Sequence, residues 1–258
     1  MGVLNVTPDS FSDGGVNLEP EAAIRTGIAM AEAGADILDV GGESTRPGAQ
    51  PVSPETEQAR VLPVVRALAG LGVLVSIDTR HAATMAAALD AGAAIVNDVT
   101  ALAHDPAAPG LIAARGCPVV LMHMRGDFAT MYAQAVYGDV AREVRDELAA
   151  RIAACEAAGI GRARIAVDPG IGFAKTAEQS VAMLRGLEVL RGLGCPIVVG
   201  VSRKSFIGAL AGEQEARRRL PGSLAAGLFA MSRGAAILRV HDVRETVQAL
   251  RVWRSLAG

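Results

Sequence analysis

A dense group of polar side chains directly after an apolar N-terminal stretch is the first feature of this sequence that could support chemistry. Residues 5–15 read NVTPDSFSDGG. So many Asn, Asp and Ser side chains around one Phe exceed what a loop needs in order to turn, and the two glycines permit positive φ and a hinge. We therefore expect a functional, mobile loop here. A surface turn rich in Asn, Asp and Ser is the alternative.

Two chemical types of side chain recur after later apolar segments. Acceptor groups follow three of these segments, at Asp78, Asn97 and Asp168. If they converge, they can bind the flat donor edge of a guanidine-like ring, because a carboxylate accepts two parallel N–H bonds. Positively charged groups follow three others, at Arg46, Lys204, Arg239 and His241. Positive charge suits a phosphate, so the sequence predicts a site with a ring-binding half and a phosphate-binding half.

The sequence shows no tight metal cage and none of several common catalytic motifs. Its four histidines lie in separate segments, at His81, His104, His123 and His241. A Mg²⁺ that keeps waters and bridges substrate phosphates needs only one or two protein oxygens, so it is compatible with the sequence. The sequence has no Ser-His-Asp order, GxSxG, Walker P-loop or GxGxxG after a strand. A hydrolase triad and a dinucleotide site are therefore not expected.

The composition indicates a protein that acts on small molecules. The 258 residues are 51% hydrophobic and 20% charged, with a formal net charge of -2, which suits one large α/β barrel or two small domains. Near-zero charge argues against nucleic acid as the main partner, because phosphate neutralisation needs a basic surface.

Three cysteines without CxxC spacing predict neither a disulfide framework nor a zinc site. No targeting or membrane-spanning segment is evident, so we expect a cytoplasmic protein without membrane association.

Eight short apolar runs alternate with longer Ala-rich stretches of helical periodicity. Each run is nearly continuous in apolar residues, as expected of parallel strands buried on both faces. The runs are residues 3–6, 37–40, 73–77, 94–96, 119–122, 165–167, 197–201 and 237–240. Between them lie amphipathic stretches such as 139–158. Eight βα units in this length predict a single (β/α)8 TIM barrel, with an open doubly wound sheet as the alternative.

A barrel would explain where the polar residues fall. The carboxyl ends of parallel barrel strands face one side of the molecule, where TIM-barrel active sites are built. The candidate residues all lie in the last part of a predicted strand or directly after it, so we expect one site at that face. We expect a single domain over residues 1–258. Because the first strand begins almost at residue 1, an N-terminal segment that would cover the barrel floor is expected to be missing.

Seven ordered motifs resemble those of the dihydropteroate synthases, which are pterin-binding TIM-barrel enzymes of folate biosynthesis. The motifs occupy residues 5–15, 42–48, 76–79, 97–98, 168–173, 202–205 and 239–242. The resemblance runs from Gly2 to nearly the C-terminus. It implies condensation of 6-hydroxymethyl-7,8-dihydropterin diphosphate with p-aminobenzoate, which gives 7,8-dihydropteroate and pyrophosphate. It also implies Mg²⁺ as the cofactor and a homodimer formed through outer helices.

The same resemblance implies a role for each matching residue. The pterin would be held by Asp78, Asn97, Asp168, Lys204 and Arg239. The diphosphate would be bound by Asn5, Arg46, Arg239 and His241, and Asn5 would also contact Mg²⁺. The p-aminobenzoate pocket would be formed by Phe11, Ser12, Thr45, Arg46, Pro47, Phe173 and Ser205. Catalysis would involve Asp9, Asp13, Lys204, Arg239 and His241.

The implied chemistry is a dissociative substitution at the pterin methylene. Departure of pyrophosphate leaves a cation that the electron-rich dihydropterin delocalises. Cationic side chains and Mg²⁺ would stabilise the departing anion, and Asp9 and Asp13 would stabilise the carbocation. Because an aromatic amine is neutral at pH 7, no strong general base is expected.

Two other functions share parts of this pattern. A barrel of the methyltetrahydrofolate methyltransferase type would share the Asp/Asn/Asp pterin floor. It would need neither Lys204 nor the diphosphate-facing Arg46, Arg239 and His241. A catalytically silent paralogue would only bind pterin or stabilise an oligomer. The intact motifs favour the synthase over both.

Several residues also have purely structural interpretations. Asp78 and Asp168 could cap the helices that follow them, because Asp is a favoured N-cap residue. Arg80 and Arg203 are expected to form structural ion pairs rather than to bind a ligand. Asp98 is expected to order the loop after its strand.

Overall fold

Short strands alternate with helices along the chain in the computed structural model, which describes residues 1–7, 19–44 and 51–257. The strands are β1 (Gly2–Asn5), β2 (Leu38–Gly41), β3 (Val75–Asp78), β4 (Ile95–Asp98), β5 (Val119–Met122), β6 (Ile165–Asp168), β7 (Val198–Val199) and β8 (Ile237–Leu238). The α-helices are α1 (Glu19–Glu32), α2 (Pro54–Gly70), α3 (Ala82–Asp90), α4 (Ala108–Arg115), α5 (Val140–Ala157), α6 (Ala177–Arg185), α7 (Ser205–Ala211), α8 (Leu220–Ser232) and α9 (Val243–Ala257). Short 3-10 segments lie at Arg162–Arg164, Leu187–Leu193 and Ala216–Arg218.

The eight strands form a closed parallel barrel. Strands β1 to β6 pair in sequence order, all in parallel, and β7 pairs with β8 in the same way. Parallel bridges join these two parts, between Val167 and Ile197 and between Gly2 and Val240. The Val3 N–H donates to the Val240 carbonyl at 2.8 Å. The ring of strands is therefore complete, which confirms the TIM barrel and shows that the open-sheet alternative is wrong.

The strands that carry the three acceptor residues, Asp78, Asn97 and Asp168, extend beyond the apolar runs of the sequence. Asp78 and Asn97 are paired in register within β3 and β4, and Asp168 is the last residue of β6. A polar side chain does not keep its residue out of the ladder, because the ladder uses only main-chain N–H and C=O groups. These three side chains are therefore held by the sheet itself rather than by the loops after it. Strands β7 and β8, by contrast, are shorter than predicted.

Local capping and a continuous apolar stripe define the outer helices. Helix α2 begins after Ser53, whose hydroxyl accepts a hydrogen bond from the Thr56 N–H, and Pro54 fills its first position. Helix α5 begins after Asp139 in a similar way. As the periodicity predicts, α5 buries Val140, Val144, Leu148, Ile152 and Cys155. Because this stripe packs into the common core with the strands, the helix and the barrel stabilise each other.

The three cysteines, Cys117, Cys155 and Cys195, are all buried free thiols. This confirms that no disulfide framework supports the fold, so its stability comes from the packed core and the hydrogen-bonded barrel. None of the helices in the described ranges is long and apolar enough to cross a membrane.

Candidate active site at the carboxyl ends of the strands

An open cleft of about 490 Å³ lies at the carboxyl ends of the strands. Apolar side chains line part of it, including Val3, Val99, Met122 and Ile171. It also brings together seven of the residues singled out in the sequence, namely Asp78, Asn97, Asp168, Phe173, Lys204, Arg239 and His241. They come from β3, from β4, from the end of β6 and the loop after it, and from the segments that follow β7 and β8. Residues separated by most of the chain therefore meet in one place.

Asp168 and Asn97 present acceptor groups that are almost fully withdrawn from water. They are 6% and 5% exposed. Oδ1 of Asp168 accepts a hydrogen bond from the Gly170 N–H at 2.7 Å, which orients the carboxylate. Burial raises the pKa of Asp168, while this hydrogen bond and the charge of Lys204 act in the opposite direction. The carboxylate therefore keeps an oriented oxygen toward the cleft.

Arg239 is shared between two carboxylates. Its Nε donates to Oδ2 of Asp39 at 2.7 Å, and a terminal guanidinium nitrogen donates to Oδ2 of Asp78 at 2.6 Å. Burial lowers the pKa of Arg239, but the two carboxylates outweigh burial and raise it above the ordinary value. Burial also raises the pKa of Asp78 to about 7, where Arg239 opposes the rise and Asp39 adds to it. The guanidinium is thus permanently charged, whereas Asp78 titrates near neutrality.

Asp39 was missed in the sequence analysis, although it links two parts of the site. It is 0% exposed, and its Oδ2 accepts from Nδ2 of Asn97 at 2.9 Å as well as from Arg239. Its Oδ1 has no hydrogen-bond partner among the described residues. Asp39 lies inside the predicted apolar run 37–40. A lone carboxylate in a buried strand is costly unless it is paired, and that was the available signal.

Lys204 and Phe173 form one wall of the cleft. Nζ of Lys204 lies 4.1 Å from the centroid of the Phe173 ring, within cation–π distance. Burial lowers the pKa of Lys204 to about 8, while the charge of Asp168 acts to raise it. Ser205 is the first residue of α7, is exposed, and is not among the described residues that line the cleft. The structure therefore places Ser205 at the start of α7, outside the described lining of the cleft.

His241 does not supply the positive charge expected from the sequence. Its Nδ1 lies 3.0 Å from the Ser202 hydroxyl oxygen, which also accepts from the His241 backbone N–H at 3.2 Å. Burial, together with the charges of Arg203 and Arg239, lowers the pKa of His241 to about 4. The ring is therefore neutral at pH 7 and contributes hydrogen bonds. The expectation of a charged His241 is wrong because burial beside other cations disfavours a further positive charge.

The structural roles expected for three charged residues are confirmed. The Arg80 guanidinium forms two hydrogen bonds with Glu43, at 2.8 and 2.7 Å. Arg203 pairs with both carboxylate oxygens of Asp242. Asp98 accepts hydrogen bonds from the loop that follows β4. These groups hold the rim of the barrel in place.

The helix-capping interpretation of Asp78 and Asp168 is wrong. Helix α3 is preceded by His81, which makes no side-chain cap hydrogen bond. Helix α6 is capped by Thr176, whose hydroxyl accepts from the Gln179 N–H while the Gln179 side chain accepts in return. Both aspartates line the cleft instead.

Seven residues predicted for the site lie outside the described residues, namely Asp9, Phe11, Ser12, Asp13, Thr45, Arg46 and Pro47. Asn5 is the last residue of β1, in register with Gly41 of β2, which is in register with Asp78. Asn5 thus stands at the same end of the barrel, although it is not among the described residues that line the cleft. Within the described ranges, no group of three or more His, Cys, Asp or Glu side chains could hold a metal ion.

Comparison with known proteins assigns the family. The family model described as "Pterin binding enzyme" matches residues 1–241. A dihydropteroate synthase of Neisseria meningitidis serogroup C is 48% identical over 259 residues, covering 99% of this chain and 92% of that protein. A structure of Xanthomonas albilineans dihydropteroate synthase with 4-aminobenzoic acid superposes with a TM-score of 0.95 at 47% identity, covering 100% of this chain and 92% of the other. A structure of the same enzyme with 7,8-dihydropteroate superposes with a TM-score of 0.91 at 45% identity, covering 100% of this chain and 93% of the other. The chain therefore belongs to the pterin-binding enzymes and, within them, to the dihydropteroate synthases.

Proposed function

We propose that this chain condenses 6-hydroxymethyl-7,8-dihydropterin diphosphate with p-aminobenzoate and releases pyrophosphate. The observation that carries the proposal is that one cleft combines two kinds of group. Its lining includes the acceptors Asp78, Asn97 and Asp168 together with the cations Lys204 and Arg239. This combination matches a ring with adjacent N–H donors that carries an anionic diphosphate. The solved Xanthomonas albilineans relatives contain 4-aminobenzoic acid and 7,8-dihydropteroate, a substrate and the product of this reaction.

The acceptor groups of the cleft are proposed to bind the pterin ring. Asp168 is oriented by the Gly170 N–H, and Asn97 is oriented by its hydrogen bond to Asp39. Because Nδ2 of Asn97 is already engaged, its amide oxygen is left to accept from a ligand. Donors of a bound pterin would favour the ionised form of Asp78, whose pKa lies at about 7. These groups need little rearrangement to bind a flat ring, which favours affinity.

The diphosphate is proposed to bind Arg239, His241, Arg46 and Asn5. The guanidinium of Arg239 is held by two carboxylates, so it can stabilise developing negative charge without reorganising. Neutral His241 can share a hydrogen bond, and a neighbouring anion would raise its pKa. Together these groups favour departure of pyrophosphate.

We propose Mg²⁺ as the cofactor, with Asn5 as its protein contact. One neutral amide oxygen, without a carboxylate cluster among the described residues, fits an ion held mainly by diphosphate and water. When bound, the ion would neutralise charge on the leaving pyrophosphate. The side chains of this chain would then orient the pterin methylene toward the second substrate.

The second substrate is proposed to bind against Phe173, whose ring face suits a flat aromatic amine. The remaining pocket residues would be Ser205 together with Phe11, Ser12, Thr45, Arg46 and Pro47. We propose that pyrophosphate leaves before the amine attacks, and that Asp9 and Asp13 stabilise the carbocation. The neutral amine attacks without prior deprotonation and, once the C–N bond has formed, the resulting ammonium loses one proton to water, so the chemistry requires no strong base.

The decisive experiment measures pyrophosphate release and dihydropteroate formation by the purified protein. Wild type should release pyrophosphate only when both substrates are present. Lys204→Ala should lower kcat/KM by about a hundredfold or more, because a buried charge that contacts the substrates is lost. Arg251→Ala, on an exposed position of α9, is the matched control and should retain wild-type activity. Wild type that forms no dihydropteroate would indicate a methyltransferase-type or binding-only protein and would overturn the proposal.

A homodimer and a cytoplasmic location complete the proposed function. The resemblance implies a dimer formed by outer helices. Leu210 of α7 and Phe229 of α8 are exposed apolar side chains, 68% and 37% exposed, on helices that contact each other. The three buried thiols suit a reducing compartment.

A further inference from the structure

Lys175 is a buried cation next to the cleft that has no part in the chemistry described so far. It lies in the loop between β6 and α6 and is 2% exposed. It is not among the described residues that line the cleft. The chain has only two lysines, Lys175 and Lys204, among its 25 Lys and Arg residues. Both lie around the same site, although every other Lys or Arg position is an arginine.

The ammonium group of Lys175 has an acceptor for each of its three N–H bonds. Nζ lies 3.2 Å from the Gly170 carbonyl oxygen and 3.1 Å from the Phe173 carbonyl oxygen. It lies 3.0 Å from Nδ1 of His123. A buried ammonium is tolerated only where such partners replace its hydration. The Lys175 side chain therefore links Gly170 and Phe173 of its own loop to His123, the residue directly after β5.

The protonation of His123 follows from its other partner. Nε2 lies 2.9 Å from a carboxylate oxygen of Glu147, and a carboxylate accepts. Nε2 therefore carries the proton, and Nδ1 is free to accept from Lys175. Burial and the Lys175 charge lower the pKa of His123 to about 4, so the ring is neutral. Nε of Arg125 in turn donates a hydrogen bond to the carboxylate of Glu147.

The loop that Lys175 holds has an unusual backbone. Gly170 and Gly172 have φ of 65° and 80°, and Ala174 has φ of 47°. A left-handed conformation at a non-glycine residue is unfavourable and persists only where the surroundings impose it. The hydrogen bonds from Lys175 to the two carbonyls span this segment. They add to the hydrogen bond between the Phe173 N–H and the Gly170 carbonyl and help to impose this backbone from the buried side.

The geometry of the cleft depends on this loop at Phe173. Its ring faces Nζ of Lys204 at 4.1 Å, while its carbonyl accepts from Lys175. Asp168, by contrast, is fixed by the ladder of β6, where it pairs with Met122. Loss of the support from Lys175 would therefore displace Phe173 more than Asp168.

We propose that Lys175 is a positioning residue that fixes the β6–α6 loop so that Phe173 stands against Lys204 and forms the wall for the aromatic amine. This inference rests on the proposed function, because it assigns Phe173 to the p-aminobenzoate pocket. Lys175 contacts the loop rather than the substrates. Its effect on the reaction is exerted through Phe173.

Charged side chains from several elements act on the pKa of Lys175. Asp168 and Glu147 favour the ammonium, and Arg125 and Lys204 disfavour it. Burial is the largest influence and lowers the pKa of Lys175 to about 7. Above that pH a neutral amine keeps only two N–H donors for three acceptors. The loop is therefore expected to be held most firmly at or below neutrality.

The test is a kinetic comparison of wild type with Lys175→Met, which keeps an unbranched side chain one atom shorter and removes the N–H donors. We expect the KM for p-aminobenzoate to rise about tenfold or more, as is usual when a binding group is displaced. The KM for pterin diphosphate should change by less than about threefold, since Asp168 and Asn97 stay in their ladders. An unchanged KM for p-aminobenzoate would overturn the proposal.

A double-mutant cycle then tests whether Lys175 acts through Phe173. Lys175→Met introduced into Phe173→Leu should lower kcat/KM for p-aminobenzoate by much less than it does in wild type, because coupled sites are not additive. Equal losses in both backgrounds would contradict the proposed route. Lys175→Gln, which retains N–H donors, is used in the same cycle if the Met variant does not fold.

Two controls distinguish a positioning role from a general loss of stability and from failure of the proposed function. Ile112→Ala, in the buried part of α4, should lower stability while leaving both KM values unchanged, so that stability loss alone is distinguished from positioning. If wild type itself forms no dihydropteroate, the proposed function fails. If wild type is active and the Met variant has wild-type kinetics, only the role of Lys175 fails.

Discussion

The charged side chains of the cleft are held out of water, and their partners decide their ionisation. Arg239 stays charged between Asp39 and Asp78. His241 becomes neutral because it is buried near other cations. At the scale of single residues, the site therefore consists of side chains whose pKa values are shifted by their surroundings, as expected of a functional cleft. The pH dependence of binding follows from these shifts.

The two lysines should titrate well below the ordinary lysine value of 10.5, near 7 for Lys175 and near 8 for Lys204. Burial is the cause, because the ammonium loses hydration. In an NMR spectrum, protein labelled with ¹⁵N only in lysine should give two side-chain signals. The signal that is missing from Lys175→Met belongs to Lys175. Both amines should be charged at acidic pH and lose their protons near pH 7 for Lys175 and near pH 8 for Lys204. Two titrations near 10.5 would contradict the burial of these groups.

Binding of the pterin should strengthen as the pH rises through about 7, because Asp78 becomes the carboxylate that accepts ring donors. The Asp39 charge raises the pKa of Asp78, so Asp39→Asn should lower that pKa and move the pH dependence toward acid. Isothermal titration with a pterin at several pH values measures this shift. Asp90→Asn, on the exposed end of α3, is the control. An unmoved profile in Asp39→Asn would show that the two carboxylates are not coupled.

At the scale of elements, the strands and the loops contribute differently to the site. Asp78, Asn97 and Asp168 are strand residues, so the sheet fixes their spacing. Phe173 belongs to a loop whose backbone is held by side-chain contacts instead. The positions of the strand residues could be predicted from the end of each apolar run. The loop geometry could not, because it depends on His123 and Lys175 meeting across two segments.

The sharp turn after β6 should tolerate no side chain at Gly170. Its φ is 65°, and a Cβ there would lie 2.0 Å from the His123 carbonyl oxygen. Gly212 after α7 has a similar φ of 69° but nothing within 4 Å of a Cβ. Gly212→Ala should therefore cost only about 1 kcal/mol of unfolding free energy, and Gly170→Ala several times as much. Urea unfolding of both variants measures the difference; equal losses would refute the close approach.

At the scale of the whole molecule, closure of the barrel is what brings the two halves of the cleft together. The bridge between Gly2 and Val240 places the first and last strands side by side. Arg239, directly after the last strand, can then reach Asp39 on the second, 200 residues away in sequence. An open sheet would leave these groups at opposite edges. The closed ring is therefore a condition for the site as well as for the fold.

The outer surface should mediate dimer formation through α7 and α8. Wild type is expected to sediment as a dimer in analytical ultracentrifugation. Leu210→Asp should shift it toward monomer, because it places a charge in an apolar contact. Leu256→Asp, at another exposed apolar position, on α9, is the control and should remain dimeric. A monomeric wild type would contradict the proposed assembly.

The amino-acid sequence by itself determined the barrel and the position of its site. Eight buried runs at regular spacing predict eight βα units, and polar residues at strand ends predict a common face, because both signals are local periodicities. The tertiary structure alone decided which groups meet. Asp39 holds Asn97, 58 residues away, and Lys175 holds His123, 52 residues away. Burial then sets the ionisation of His241 and Asp78. Such pairings depend on distances that exist only after folding, so no local pattern could reveal them.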